Sequence, residues 1–275
     1  MKKYLLILFC IVNLFANEQR IVTLSPSLNE IVFALGKGDK IVANTQYCNY
    51  PPESKKIPKI GGYSSISLEK LLKAKPSLVL AQNYDEKLLS NLEKLNFNYH
   101  SFKTDNLASI KTTIKNISLL LNKEKKANEL INKINIKLNS LSNIVSNKEI
   151  MIVIGAQPTL EKAIYITGNN LYFNDIIKAS GNKNAYKSKS SAQPIVNVEN
   201  IINMNPDIII LLAPYIHDNN ISFDELKKPW KKLPIKASKN DNIYIIDKEY
   251  AGIPSHRVIY FMEDFKDILV NVRDK

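Results

Sequence analysis

SLEKLLKAKPSLVL, from Ser67 to Leu80, is echoed by NVENIINMNPDIII, from Asn197 to Ile210. Across an offset of 130 residues Glu69 matches Glu199, Pro76 matches Pro206, and the apolar positions coincide. In the first copy Leu68, Leu71 and Leu72 recur at helical spacing and are expected inward, with Glu69 and Lys70 outward. In the second copy Val198, Ile201 and Ile202 take the inward places and Glu199 the outward one. Each helix should stop at its proline. A nearly continuous apolar run follows, as in a parallel strand buried on both faces. Each copy reads as a helix feeding a buried strand, a piece of a βαβ unit.

Outward from these copies the same alternation continues. RIVTLS (Arg20–Ser25) predicts a buried strand. SPSLNEIVFALG predicts a helix, with Ser27 and Glu30 at capping-box spacing and Gly36 as its stop. KIVANT (Lys40–Thr45) predicts a second strand, and the prolines and Gly61-Gly62 pair that follow predict a loop. DEKLLSNLEKL, NFNYHSF and NLASIKTTIKNISLLL read as helix, strand and helix. Asn122–Ser146, periodic and free of Gly and Pro, predicts one long helix. EIMIVIGA opens a second alternation that holds a helix ended by Gly181, the second copy, a strand at DNIYIID and a final helix from SHRV onward. The expected fold class is α/β: two Rossmann-like lobes, residues 17–118 and 148–275, joined by a long interdomain helix over residues 119–147.

The 275 residues suffice for two such lobes with their own apolar interior. The formal charge of +12 comes from 38 Lys and Arg, of which only Arg20, Arg257 and Arg273 are arginine. Dispersed lysine without an arginine-rich or aromatic-interleaved patch reads as solvated surface, so no nucleic-acid partner is expected. MKKYLLILFCIVNLFA has the positive start and short apolar run of a signal peptide, residues 1–16, cleaved after Ala16. Loss of Lys2 and Lys3 leaves a charge of +10. Lipid anchoring at Cys10 is disfavoured, because bulky Phe9 precedes it. The mature chain then holds Cys48 alone, so its fold rests on its core, with Cys48 expected as a small buried hydrophobe.

YPPESKKIPKIGGYSSISLEKLLKAKPSLVLA (Tyr50–Ala81) is similar to the N-lobe signature of the periplasmic substrate-binding proteins that serve vitamin B12, siderophore and haem ABC importers. IVTLSPSLNEIVFALG, YITGNNLYFNDIIKASGNKNAY and SHRVIYFMEDFKDIL resemble other stretches of that family, in the same order, across almost all of residues 20–270. The SP–E opening and the YPP–GGY–LE–KP run look like its vitamin B12-binding branch. The resemblance implies a class III periplasmic binding fold and a monomer without cofactor. It also implies partners: a small-molecule chelate, and an inner-membrane ABC permease dimer with its ATPase. It implies further that Glu69 and Glu199, one per lobe, dock on basic residues of the permease. Two matching charges on pseudo-symmetric lobes suit two matching pockets on a symmetric partner.

Ligands of open α/β sheets approach the loops at the carboxyl ends of strands, so two facing lobes should make a cleft there. The candidates in the first lobe are Ser27, Tyr47, Tyr50, Tyr63, Ser64 and Tyr84. In the second they are Gln157, Gln193, Tyr215, His217, Tyr250 and Arg257. Tyrosine brings a broad apolar face and a hydroxyl, suited to a flat or macrocyclic ligand. Haem is the alternative ligand, with Tyr63, Tyr84, Tyr215 or His217 on the iron. Three scattered histidines argue against a bare metal site. With Arg257 the only arginine expected at the cleft, an anionic siderophore is disfavoured. An exported α/β enzyme is the reading from another class; against it, no G-x-S-x-G elbow, Walker loop, G-x-G-x-x-G or H-E-x-x-H is present.

Overall fold

Both copies fold to the same plan. In a computed structural model, which describes residues 19–63, 65–188 and 193–275, Ser67 caps a helix Leu68–Ala74 that ends on Lys75 in the left-handed region. Asn197 likewise caps Val198–Met204, which ends on left-handed Asn205. Strands Leu78–Gln82 and Ile208–Leu212 follow, buried along their whole lengths. Leu71 and Ile201 are the fully buried residues of the two helices. Leu72 departs from expectation: half of it is exposed, because a seven-residue helix turns only one narrow stripe to the sheet. The signal segment 1–16 and Ser64 lie outside the described residues.

The first lobe contributes β1 (Ile21–Thr23), α1 (Pro26–Ala34), β2 (Ile41–Ala43), α2 (Leu68–Ala74), β3 (Leu78–Gln82), α3 (Glu86–Lys94) and β4 (Tyr99–Phe102). α4 (Leu107–Leu121) and α5 (Glu124–Asn139) lead into the second, with β5 (Glu149–Ile154), β6 (Ile164–Ile166), α6 (Tyr172–Ala179), β7 (Lys183–Asn184) and β8 (Ile195–Val196). α7 (Val198–Met204), β9 (Ile208–Leu212), α8 (Phe223–Lys231), α9 (Lys236–Lys239), β10 (Ile243–Ile246) and α10 (Val258–Arg273) complete the chain. The first sheet is parallel, in order β2-β1-β3-β4. In the second, β7, β5, β9 and β10 neighbour one another in the same parallel arrangement, and β6 and β8 add an antiparallel extension. The repeat in sequence is thus a repeat in topology, β3 of one lobe answering β9 of the other.

The continuous helix expected over Asn122–Ser146 is one shorter helix, α5, followed by turns. Asn122 adopts the left-handed conformation (φ 53°) and caps α4, α5 then runs only to Asn139, and Asn143 and Asn147 also have positive φ. Asn tolerates that region better than other non-glycine residues, so it stops helices here without the glycine signal. α5 packs on α4, α6 and α10.

Strand periodicity explains how firmly the lobes are joined. Leu78 and Leu80 of β3, together with Ile208, Ile210 and Leu212 of β9, belong to one apolar core shared with α1, α4, α5, α6 and α10. The alternate residues face away: Val79 and Ala81 pack with Leu71 and Leu92 of the first lobe. Ile209 and Leu211 pack with Ile201, Leu226 and Trp230 of the second. Because side chains alternate across a strand, each sheet divides its residues between a private core and the common one.

Candidate functional site

The carboxyl ends of the strands of both sheets converge on a cleft built from two adjoining hollows, which share Pro26, Tyr63 and Gly252. The inner hollow, about 240 Å³, is lined from the first lobe by Ser25, Ser27, Gln82, Tyr84, Thr104 and Asp105, and from the second by Ile154, Tyr172, Phe173, Gln193 and Pro254. The outer one, about 120 Å³, adds Tyr47, Asn49, Pro214, Tyr215 and Glu249.

Backbone geometry places the aromatic rim. Gly61 (φ 142°) closes a tight turn in which a Cβ would meet the Ser65 carbonyl oxygen at 2.1 Å, so only glycine fits. Tyr63 rides at the tip of that turn and stacks on Tyr47, ring centroids 4.7 Å apart. Burial, with the Tyr84 and Tyr215 hydroxyls nearby, pushes the Tyr63 phenol up to about 12. The loop that carries Tyr47 is pinned from beneath. Buried Asn29 donates to Ser54 Oγ at 2.8 Å and to the Tyr50 carbonyl at 3.1 Å. Lys59 Nζ donates to Asn44 Oδ1 and to the Cys48 and Ser54 carbonyls at 2.7–3.0 Å. Cys48 is buried beside Thr45. On the floor, buried Gln82 donates to Ser25 Oγ and Thr104 Oγ1, each at 3.2 Å.

Of the residues the sequence nominated, Ser27, Tyr63, Tyr84, Gln193, Tyr47 and Tyr215 are brought together in the cleft. Ser64 lies outside the described residues. Tyr250 turns away and donates to Asp264 at 2.7 Å, reaching the cleft only through its neighbours Gly252–Pro254. Gln157 is exposed and folds back on the Gly155 carbonyl. His217 stands exposed, bonded to Asp247 at 2.7 Å.

Arg257 corrects the sequence expectation most sharply. It is 4% exposed and forms a two-pronged ion pair with buried Glu30 of α1, its Nε at 3.0 Å from Oε2 and its Nη2 on Oε1. The Tyr50 ring covers the guanidinium at 3.8 Å, and Ser255 donates to the same carboxylate. Burial holds the Glu30 carboxyl above its ordinary range, opposed by Arg257 and Ser255. Arg257 and Tyr50 therefore tie the lobes together behind the cleft. Glu30 consequently forms no capping box with Ser27, and Ser25 Oγ caps α1 by accepting from the Leu28 N–H.

Sequence reasoning missed Thr104, Asp105, Tyr172, Phe173 and Glu249. The first two follow β4 directly, so the rule used for the other strands applied to them as well. Tyr172 donates to the Ala251 carbonyl and fastens α6 to the cleft loop, a contact no local pattern announces. α2 and α7 run antiparallel to the strands they precede, so Glu69 and Glu199, both exposed in first turns, stand at the cleft end of their lobes. Glu69 is bonded to Lys73 at 2.6 Å.

The model of the family described as periplasmic binding protein matches residues 21–250. The chain belongs to that family. This periplasmic binding protein is 25% identical over 265 residues to the vitamin B12-binding protein of Vibrio campbellii, covering 95% of this chain and 94% of that one. Its fold matches the periplasmic vitamin B12-binding protein BtuF of Vibrio cholerae at a TM-score of 0.79 and 22% identity, covering 94% and 98% of the two chains. It also matches the periplasmic haem-binding protein RhuT of Roseiflexus sp. RS-1 at 0.78 and 20% identity, covering 93% and 99%. These relatives are binding proteins of the vitamin B12 and haem type.

Proposed function

We propose that this extracytoplasmic binding protein captures a corrinoid in the cleft and delivers it to the permease dimer of an ABC importer in the inner membrane. The observation that carries the reading is the pair of hollows joined at Tyr63, lined from both lobes by aromatic rings and neutral hydrogen-bonding groups, with the carboxylates of Asp105 and Glu249 among them. Ring faces suit the broad apolar surface of a macrocycle, while Gln82, Ser25, Ser27 and Thr104 suit peripheral amides. The name of the Vibrio campbellii relative supports the same ligand. Iron chelates other than haem fall within the same reading.

Haem is the second reading, favoured by the neighbouring hydroxyls of Tyr63, Tyr84 and Tyr215, any of which could meet an iron. Equilibrium dialysis of residues 17–275 against cyanocobalamin, haem and a ferric hydroxamate, read by absorbance, tests the proposal. Saturable uptake of cyanocobalamin at micromolar or better affinity supports it. Uptake of haem with a shifted Soret band and no uptake of cyanocobalamin would replace it with the second reading.

A further inference from the structure

The cleft's charge runs against the charge of the molecule. The chain carries 38 Lys and Arg against 26 Asp and Glu. Yet the charged side chains among the described lining residues are Asp105 and Glu249, both acidic. The neighbouring basic groups among the described residues are each bonded to a carboxylate. Lys103 pairs with Asp105 at 3.2 Å without lining the cleft. Lys248 and His217 both turn to Asp247, at 3.1 and 2.7 Å. Arg257 is buried behind the cleft on Glu30. The aromatic rim adds to this polarity, because ring faces are electron-rich and attract cations.

On the proposed reading of the cleft as a corrinoid or chelate site, we infer that it sorts ligands by charge. It accepts electroneutral or cationic metal complexes and rejects anionic ones, with Asp105 and Glu249 as the specificity-determining groups. The two carboxylates lie on opposite lobes: Asp105 follows β4, and Glu249 follows β10. A ligand held between the lobes meets both. An anionic chelate entering here would lose water and gain no positive partner among the described lining residues, leaving its charge beside Glu249 and the Lys103-paired Asp105. A neutral amide-bearing complex loses nothing by the same arrangement, and a cationic one gains. The overall positive charge still draws anions toward the surface, so discrimination is made at the mouth and not by long-range steering.

Equilibrium dialysis of residues 17–275 with four probes tests this: neutral cyanocobalamin, cationic ferrioxamine B, an anionic ferric tris-catecholate and haem with its propionates. The expected result is binding of a neutral or cationic probe, with the anionic probes weaker by roughly tenfold or more at low salt. The gap should narrow toward about 0.5 M salt, since both carboxylates face water. In Asp105→Asn/Glu249→Gln the ratio of anionic to neutral affinity should rise by roughly tenfold. An anionic probe that binds wild type as tightly as the best neutral or cationic one overturns charge selection and leaves the binding function standing. So does a gap that neither salt nor the double variant moves, because discrimination would then rest on shape. Failure of all four probes to bind overturns the reading of the cleft itself, and the inference with it.

Discussion

Arg257 and His256 stand side by side at the start of α10 and meet opposite fates. Arg257 finds a carboxylate in the interior, and its removal leaves Glu30 buried with the Ser255 hydroxyl but without a counter-charge. Arg257→Ala should cost about 3–5 kcal/mol in urea denaturation. Glu30→Leu with Arg257→Met should cost less than Arg257→Ala alone, since no stranded charge remains. Equal or greater loss in the double variant would show that the pair itself supplies the stability. His256 finds no partner for its buried Nδ1 among the described residues. Burial, reinforced by Arg257 and Lys133, pushes it down to about 4 from an ordinary 6.5. The unfolded chain therefore takes up a proton near pH 6.5 that the folded chain refuses until about 4. Stability should be full above that window and fall as pH drops through it, by up to about 3 kcal/mol. His256→Gln should flatten this limb of the stability profile; an unchanged slope would assign the acid sensitivity to other groups.

At the scale of the element, α2 and α7 do two jobs with seven residues each. Leu71 and Ile201 anchor them to their sheets, and Glu69 and Glu199 are left exposed at the cleft end. If these carboxylates dock on the permease, Glu69→Ala with Glu199→Ala should leave ligand affinity within about twofold. It should also lower ligand-stimulated ATPase of the reconstituted importer by roughly tenfold. Loss of ligand affinity in parallel would move both residues out of the docking role. The ends of these elements were only partly legible. Proline and glycine were read as stops, whereas the chain places Asn96, Asn122, Asn143, Asn147, Asn205 and Asn220 in the left-handed region. Capping boxes likewise use Asn197 with Asn200 and Asn106 with Ser109. An asparagine-rich sequence hides its punctuation in a residue that is also common on its surfaces.

For the whole molecule, the core common to both sheets sets the mechanics. Residues from β1, β3, β5 and β9 share one apolar interior with α5 and α10, and Glu30–Arg257 crosses it. Parting the lobes would expose that interior, so large hinge motion is disfavoured. The two hollows are small beside a corrinoid, so accommodation falls to the exposed rim residues Tyr63, Tyr84 and Tyr215. Small-angle scattering should find the radius of gyration nearly unchanged on ligand addition; a sharp fall would refute the braced architecture. Unfolding followed by Trp230, which is buried in the second lobe's private core, should coincide with loss of helical signal from the whole chain.

Local chemistry was enough to determine the class of fold, the pseudo-repeat and the lobe order. Helical periodicity, proline stops and buried apolar runs are short-range signals, and two copies of one such pattern imply two copies of one motif. Much of the cleft was legible for the same reason, since a strand's carboxyl end can be found without knowing what it faces. What Tyr50, Tyr250 and Arg257 do was decided only by tertiary structure. An arginine near a cleft and an arginine behind it look alike in sequence; the difference is whether a carboxylate 227 residues away is buried within reach. The shared core, the breaks around α5 and the acidic lining of a basic protein arise in the same way, from contacts between residues distant in the chain.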